Sequence, residues 1–220
     1  MIKAKRDQSF EWMFHLVNKR LLRMSFEQIY FQKKDELPKD TAIFVCNHSS
    51  WWDGLICFHL RRTVLSHYFY VMMHEHGLKK YPYFKKLGAF SINRSNPKEV
   101  FTTLEYTIDL LFEEKSVWIF PQGDEFHLEK RPLNFQSGVL YVLEKCPHIP
   151  IIPFSFYYSF GHKRKPEVSV LAGQAFHIED LHGKNRKEKT ASLEQICTKQ
   201  LDELKKMVIE ENHYTFSTLL

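Results

Sequence analysis

"VCNHSSWWDGL", residues 45–55, is the stretch on which the reading of this chain turns. An apolar run over 42–46 leads into a polar group, and a helical pattern over 50–61 follows it. The order is strand, loop, helix, and His48 falls two residues past the strand. Five residues on a continuous helix turn through roughly 500°, which does not stack His48 on Asp53. The two meet only if His48 lies before the helix and Asp53 within its first turn. Ser50 suits the N-cap of such a helix, and Asp53 three residues later completes the pattern of a capping box. The plain alternative is that Ser50 and Asp53 only start the helix and that His48 is an ordinary loop residue.

Outward from this stretch, strands and helices alternate. Residues 29–32, 68–73, 90–92, 117–120, 149–156 and 168–171 read as strands beside 42–46. Pro97 stands where a helix begins, with Val100, Phe101, Leu104, Ile108 and Leu111 at helical spacing behind it. A further helix fits 135–143, and Leu193, Ile196, Gln200, Leu204 and Val208 mark a last one. Alternation of this kind predicts a single α/β domain with a largely parallel central sheet flanked by helices. Sites in such sheets gather at the carboxyl ends of the strands, which is where His48 falls.

Residues 10–24 carry Phe10, Met13, Phe14, Val17, Leu21 and Met24 at helical spacing, with Lys3, Lys5, Arg6, Lys19, Arg20 and Arg23 around them. The expected division is an N-terminal amphipathic helical segment over 1–27 and the α/β domain over 28–220. Charges interrupt the N-terminus throughout, so it does not read as a signal peptide. The longest uncharged run, 146–162, holds Pro147, Pro150 and Pro153 and does not suit a spanning helix.

The net charge of +5 directs attention to anionic partners: a membrane surface, a phosphate-bearing substrate or nucleic acid. The chain shows no helix-turn-helix, zinc-finger or aromatic ribonucleoprotein pattern, so no nucleic-acid partner is expected. Cys46, Cys57, Cys146 and Cys197 form no C-x-x-C pair and read as reduced, mostly buried thiols. His74 and His76 flank Glu75 without further ligands at zinc spacing, so they read as exposed polar residues and no metal is expected.

A histidine and carboxylate so placed suit general base catalysis. The neutral ring takes a proton from an attacking hydroxyl, and the carboxylate holds the other ring nitrogen and stabilises the imidazolium. The chain has no G-x-S-x-G elbow to supply a covalent serine nucleophile, so the nucleophile would be the substrate's own hydroxyl.

Three further blocks accompany "NHSSWWD": "GAFSINR" (88–94), "FPQGDE" (120–125) and "IPIIP" (149–153). In this order and spacing they resemble the glycerolipid acyltransferase family of the 1-acylglycerol-3-phosphate acyltransferase type. Its blocks read N-H-x-x-x-x-D, G-x-x-x-I-x-R, F-P-E-G-T-R and a proline-bounded hydrophobic strand. The likeness covers about residues 40–160. It implies direct transfer of an acyl group from a thioester, on acyl-CoA or acyl carrier protein, to an acceptor hydroxyl of a lipid. His48 would be the base, Asp53 its orienting partner, and backbone N–H groups near Gly123 would help hold the oxyanion. No cofactor beyond the acyl co-substrate is implied. Substrate contacts are expected from Ser50, Trp51, Trp52, Arg94, Gln122, Gly123, Asp124 and Glu125.

The third block departs from the pattern. E-G-T-R appears as Gln122, Gly123, Asp124 and Glu125. The arginine that the resemblance assigns to an acceptor phosphate is thus a carboxylate, which beside a phosphate costs on the order of 1 kcal/mol or more. "FQSG" at 135–138 likewise puts Gln136 where a lysine often stands. Arg94 remains, and Lys130 and Arg131 are nearby in sequence. Trp51, Trp52, Phe58, Tyr68, Phe69, Tyr70, Tyr81, Tyr83 and Phe84 are divided between core and the wall of an acyl or lipid site. The expected acceptor is therefore a lipid without a phosphate, such as a glycosylated lipid or a glycosyl carotenoid, by analogy with divergent members of the family. Lysophosphatidic acid is the conservative alternative. A thioesterase and a non-catalytic lipid-binding relative are the competing classes. The first helix suits a peripheral enzyme on the cytoplasmic face of the cell membrane, or else packs on the core as most amphipathic helices do.

Overall fold

The computed structural model describes residues 1–65 and 68–220. Among them one eight-stranded sheet is built from β1 (Gln28–Lys33), β2 (Ile43–Cys46), β3 (Phe69–His74), β4 (Ala89–Ile92), β5 (Ser116–Ile119), β6 (Ile151–Phe160), β7 (Pro166–Ala172) and β8 (Ser217–Thr218). The order across the sheet is β4-β3-β5-β2-β6-β7-β1-β8. The five strands from β4 to β6 run parallel, as do β7 and β1; β6 with β7 and β1 with β8 are antiparallel. The helices are α1 (Gln8–Ser25), α2 (Trp52–Thr63), α3 (Glu75–Lys80), α4 (Pro97–Phe112), α5 (Gly138–Lys145) and α6 (Arg186–Ile209). This is the mostly parallel α/β domain that the alternation predicts.

β2 lies mid-sheet and is buried at every position, as a strand covered on both faces must be. Ile43 and Val45 enter one core and Phe44 and Cys46 the other, the two-residue period of a strand. α4, α5 and α6 cover the first face through residues such as Leu104, Val139 and Leu201. α1 and α2 cover the second through Leu22, Ile56 and Leu60. All four cysteines are free and buried.

Several boundaries move for local reasons. The helix expected over 135–143 starts at Gly138; ahead of it Asn134 has φ +59°, outside the helical region, and the N–H groups of Phe135 and Gln136 donate to Glu194 and to the Pro121 carbonyl. β6 extends to Phe160 because β7 returns beside it. α3, the 3-10 turn Pro82–Leu87 and β8 are too short to leave a periodic signal.

α1 does not pack as an ordinary amphipathic helix. Its buried residues are Glu11, Asn18 and Leu22, whereas Trp12, Met13, Leu16, Val17 and Met24 are each at least 50% exposed. The Glu11 carboxylate and the Asn18 amide N–H are paired, which offsets the cost of burying them, while Asn18 Oδ1 has no partner among the described residues. Glu11 meets Arg61 of α2 at 2.7 Å and Arg6 at 2.5 Å, and Asn18 donates to the Leu55 carbonyl at 3.0 Å. Of the expected stripe, Phe10 and Phe14 are part-buried, and the other four face outward. No described helix is long and apolar enough to cross a membrane.

Candidate active site

The site forms where β2 and β5 end. After Cys46 the chain leaves the sheet, and Asn47 fixes the exit: its amide donates to the Phe156 carbonyl at 3.0 Å and accepts from the Phe156 N–H at 2.9 Å. The His48 backbone is held as well. Its N–H donates to Gln122 Oε1 at 2.6 Å, and its carbonyl accepts from Phe126 N–H at 3.0 Å. The ring lies 4.4 Å from that of Phe120, the residue after β5.

Asp53 sits in the first turn of α2 and is fully buried. Its Oδ2 lies 2.8 Å from His48 Nδ1 and accepts from the N–H groups of Ser49 at 2.9 Å and Ser50 at 3.0 Å. Its Oδ1 accepts a short hydrogen bond from the Tyr158 hydroxyl. Burial, and then the charge and hydrogen bond of Asp53, push the Tyr158 phenol well above its ordinary pKa, so the phenol remains a donor. With every other neighbour donating to the carboxylate, the geometry favours the tautomer of the neutral His48 ring that has its proton on Nδ1 and its lone pair on Nε2. That tautomer is the one a general base requires.

The capping expectation is corrected: the helix is capped at Trp51 without a side-chain hydrogen bond, not at Ser50. Asp53 still accepts from the Ser50 N–H, and Ser50 Oγ accepts from Trp52 N–H at 3.2 Å. The same carboxylate therefore ties down the loop ahead of the helix and holds the histidine.

His48 borders a cavity of about 700 Å³ whose wall is mainly apolar, including Phe58, Phe69, Met72 and Leu87. Five of the nine ring candidates line it: Trp51, Phe58, Phe69, Tyr81 and Phe84. Trp52 packs edge-on against Phe26 instead, at 5.1 Å. Tyr68 is flanked by the guanidinium groups of Arg6 and Arg61, each 4.3 Å from its ring centre. Phe14 of α1 also reaches the wall, which no local pattern distinguishes from a core position.

The other expected substrate contacts divide. Arg94, Gly123, Asp124 and Glu125 line the cavity with Trp51. Ser50 and Trp52 lie outside its lining. Gln122 is buried at 3% exposure, outside the lining, and its carbonyl oxygen is spent on the His48 N–H. The Gly123 N–H donates to the Phe120 carbonyl at 2.9 Å, closing a turn, so it is not directed at a substrate oxygen. Gly123 has φ +74°, and a Cβ there would stand 3.0 Å from the Arg94 guanidinium, which donates to the Gly123 carbonyl at the same distance. Glu125 Oε1 lies 3.9 Å from His48 Nε2. Gln136 lines the cavity without charge.

Tyr158 and Asn47 escaped the sequence reading. Asn47 had a signal, a polar residue that stands just past a buried strand and opens the N-H-x-x-x-x-D block. Tyr158 had none, since its partner lies 105 residues away.

The fold is shared with a solved protein. A crystal structure described as the 1-acyl-sn-glycerophosphate (LPA) acyltransferase PlsC from Thermotoga maritima superposes with a TM-score of 0.65 and 18% identity, over 91% of this chain and 84% of that one. No curated protein matches the sequence. The family model described as Acyltransferase matches residues 28–157, more than half of the chain. That span opens with β1, closes inside β6, and contains His48, Asp53 and the turn that carries Glu125: the chain belongs to the acyltransferase family.

Proposed function

We propose that this protein is an O-acyltransferase that moves a fatty acyl group from acyl-CoA or acyl carrier protein directly to a hydroxyl of a lipid acceptor without a phosphate. The observation that carries the reading is the His48–Asp53 pair, with Nδ1 held at 2.8 Å by a buried carboxylate and Nε2 free toward a largely apolar cavity. The acceptor oxygen attacks the thioester carbonyl carbon. The C–O bond forms, the C–S bond breaks, and the hydroxyl proton passes to Nε2 and then to the departing thiolate. The acyl chain occupies apolar wall of the kind that Phe58, Phe69 and Met72 supply.

Two features support an acceptor without a phosphate, such as a glycosylated lipid or glycosyl carotenoid. Glu125 puts a carboxylate beside the reacting nitrogen, and Gln136 is uncharged at the same cavity. Carboxylates and amides are good partners for sugar hydroxyls. Arg94 at the cavity wall is the observation that favours the second reading, lysophosphatidic acid, the substrate named for the Thermotoga maritima protein. The exposed apolar residues of α1, beside Lys19, Arg20 and Arg23, support a peripheral enzyme on the cytoplasmic face of a membrane.

The test is a competition between a neutral glycosylated lipid and lysophosphatidic acid for one acyl donor, read as kcat/KM. The glycolipid is expected to be preferred, and Glu125→Arg to narrow or reverse the preference. Efficient use of lysophosphatidic acid with no transfer to glycolipid would leave the second reading standing. Equal thiol release without any acceptor would point to hydrolysis, and none with any donor to a binding protein.

A further inference from the structure

Glu125 occupies the position at which an arginine is expected, and its carboxylate ends beside the reacting nitrogen. Oε1 is 3.9 Å from His48 Nε2, longer than the about 2.9–3.0 Å of a hydrogen bond. The Glu125 side chain is half exposed, at 49%, and it lines the cavity. It is not what orients the ring, because Asp53 already does so from the opposite nitrogen.

The count of hydrogens constrains what binds there. A reacting hydroxyl has one hydrogen, and that hydrogen must go to Nε2. A carboxylate can only accept. Where bound substrate displaces the water around the half-exposed Glu125, two acceptors so close together are both satisfied only by two donors, and the reacting hydroxyl supplies one. We propose that the acceptor carries the second donor on the neighbouring carbon: it is a vicinal diol, and Glu125 is the residue that selects it. One hydroxyl donates to His48 Nε2 and reacts, while the next donates to Glu125 Oε1. This rests on His48 being the general base of acyl transfer. The second hydroxyl keeps its proton and Glu125 its charge, so the bonds made and broken are those of the transfer itself. A mono-alcohol leaves the carboxylate without its donor, and a phosphate at that point meets like charge. Adjacent ring hydroxyls of a sugar and the terminal hydroxyl pair of a glycerol ether both present the required pair.

The experiment compares acceptors that differ by one oxygen, with a single acyl-CoA as donor. The pairs are 1-O-hexadecylglycerol with its 3-deoxy analogue, and the same diol with its 2-deoxy analogue, each analogue keeping a single hydroxyl. The diol is expected to have the higher kcat/KM in at least one pair, by about 10- to 100-fold, the scale of a hydrogen bond to a charged group. Glu125→Leu should bring that ratio close to one through loss of activity on the diol, with melting measured to establish that the variant is folded. Glu125→Gln, whose carbonyl still accepts, should keep part of the preference. Equal use of diol and mono-alcohol by the wild type would overturn the diol assignment while leaving acyl transfer intact, as would a preference that Glu125→Leu does not change. Preference for the corresponding vicinal amino alcohol over the diol would overturn it in favour of a cationic acceptor. Failure to transfer to any hydroxyl acceptor, lysophosphatidic acid included, would remove the underlying enzymatic reading as well.

Discussion

The hydroxyl of Tyr158 donates a short hydrogen bond to Oδ1 of Asp53, and the two residues stand 105 positions apart in the chain. Tyr158 lies on β6 and Asp53 on α2, and β6 pairs with β2, the strand that feeds the His48 loop. The phenol thus occupies one carboxylate oxygen and leaves the other for His48. Tyr158→Phe is expected to destabilise the protein by about 1–3 kcal/mol, because a buried acceptor loses its donor. Turnover should fall as well, by less than on removal of His48. Denaturant melts and steady-state rates on the same preparation check both; unchanged values in both would mean that the bond contributes nothing.

The same residue gives a pH dependence. Its phenol pKa is raised by burial and by Asp53, and that of Tyr157 is pushed up to about 12 by burial and by Glu129. Between the unfolded and the native pKa the native state holds protons that the unfolded chain has released. The stability contributed is therefore fully present below the ordinary tyrosine pKa of about 10 and is lost as pH rises through the native values. The melting temperature should decline above about pH 10, and less steeply in Tyr158→Phe. Equal slopes in the two proteins would count against the assignment.

His48→Ala should lower acyl transfer by about 10²-fold or more, the scale of a positioned general base. The fold should persist, because the bonds to Gln122 and Phe126 are made by the His48 backbone and survive the substitution. Near-normal transfer by a folded variant would remove the base from the mechanism.

Asp53→Asn should cost both activity and stability. The carboxylate accepts from Ser49, Ser50, Tyr158 and His48, and an amide turns one of those oxygens into a donor facing a donor. Loss of stability with rates preserved would reduce Asp53 to a tie between loop and helix.

Membrane contact is tested on the outer face of α1. Deleting residues 1–24 would also remove Leu22, the Glu11 partner of Arg61, and Phe14 from the cavity wall. Changing Trp12, Leu16 and Val17 together to serine leaves those in place, since all three are exposed. The variant is expected to co-sediment less with anionic vesicles, and its residual binding to respond to salt. Unchanged binding would place the contact elsewhere on the molecule.

The sequence by itself determined what depends on near neighbours. The apolar run ending at Cys46 and the helical pattern behind it specify strand, loop and helix, an order that permits His48 and Asp53 to meet. The alternation of such units sets a mostly parallel sheet, and the order of four short blocks pointed to the family. Only the tertiary structure decided which side of α1 faces the protein. Its apolar residues advertise a core face, but the ion pairs of Glu11 with Arg6 and Arg61 turn the polar side inward. The tertiary structure also decided that Gln122 props the His48 backbone rather than facing substrate, and that the Gly123 N–H closes a turn. It alone brought Tyr158 to Asp53. The physical reason is that β2 lies between β5 and β6 and runs parallel to both, so the carboxyl-terminal parts of three strands distant in sequence meet on one side of the sheet's centre. Periodicity and turn signals reach only across neighbouring residues, whereas strand order is set by how whole faces bury one another.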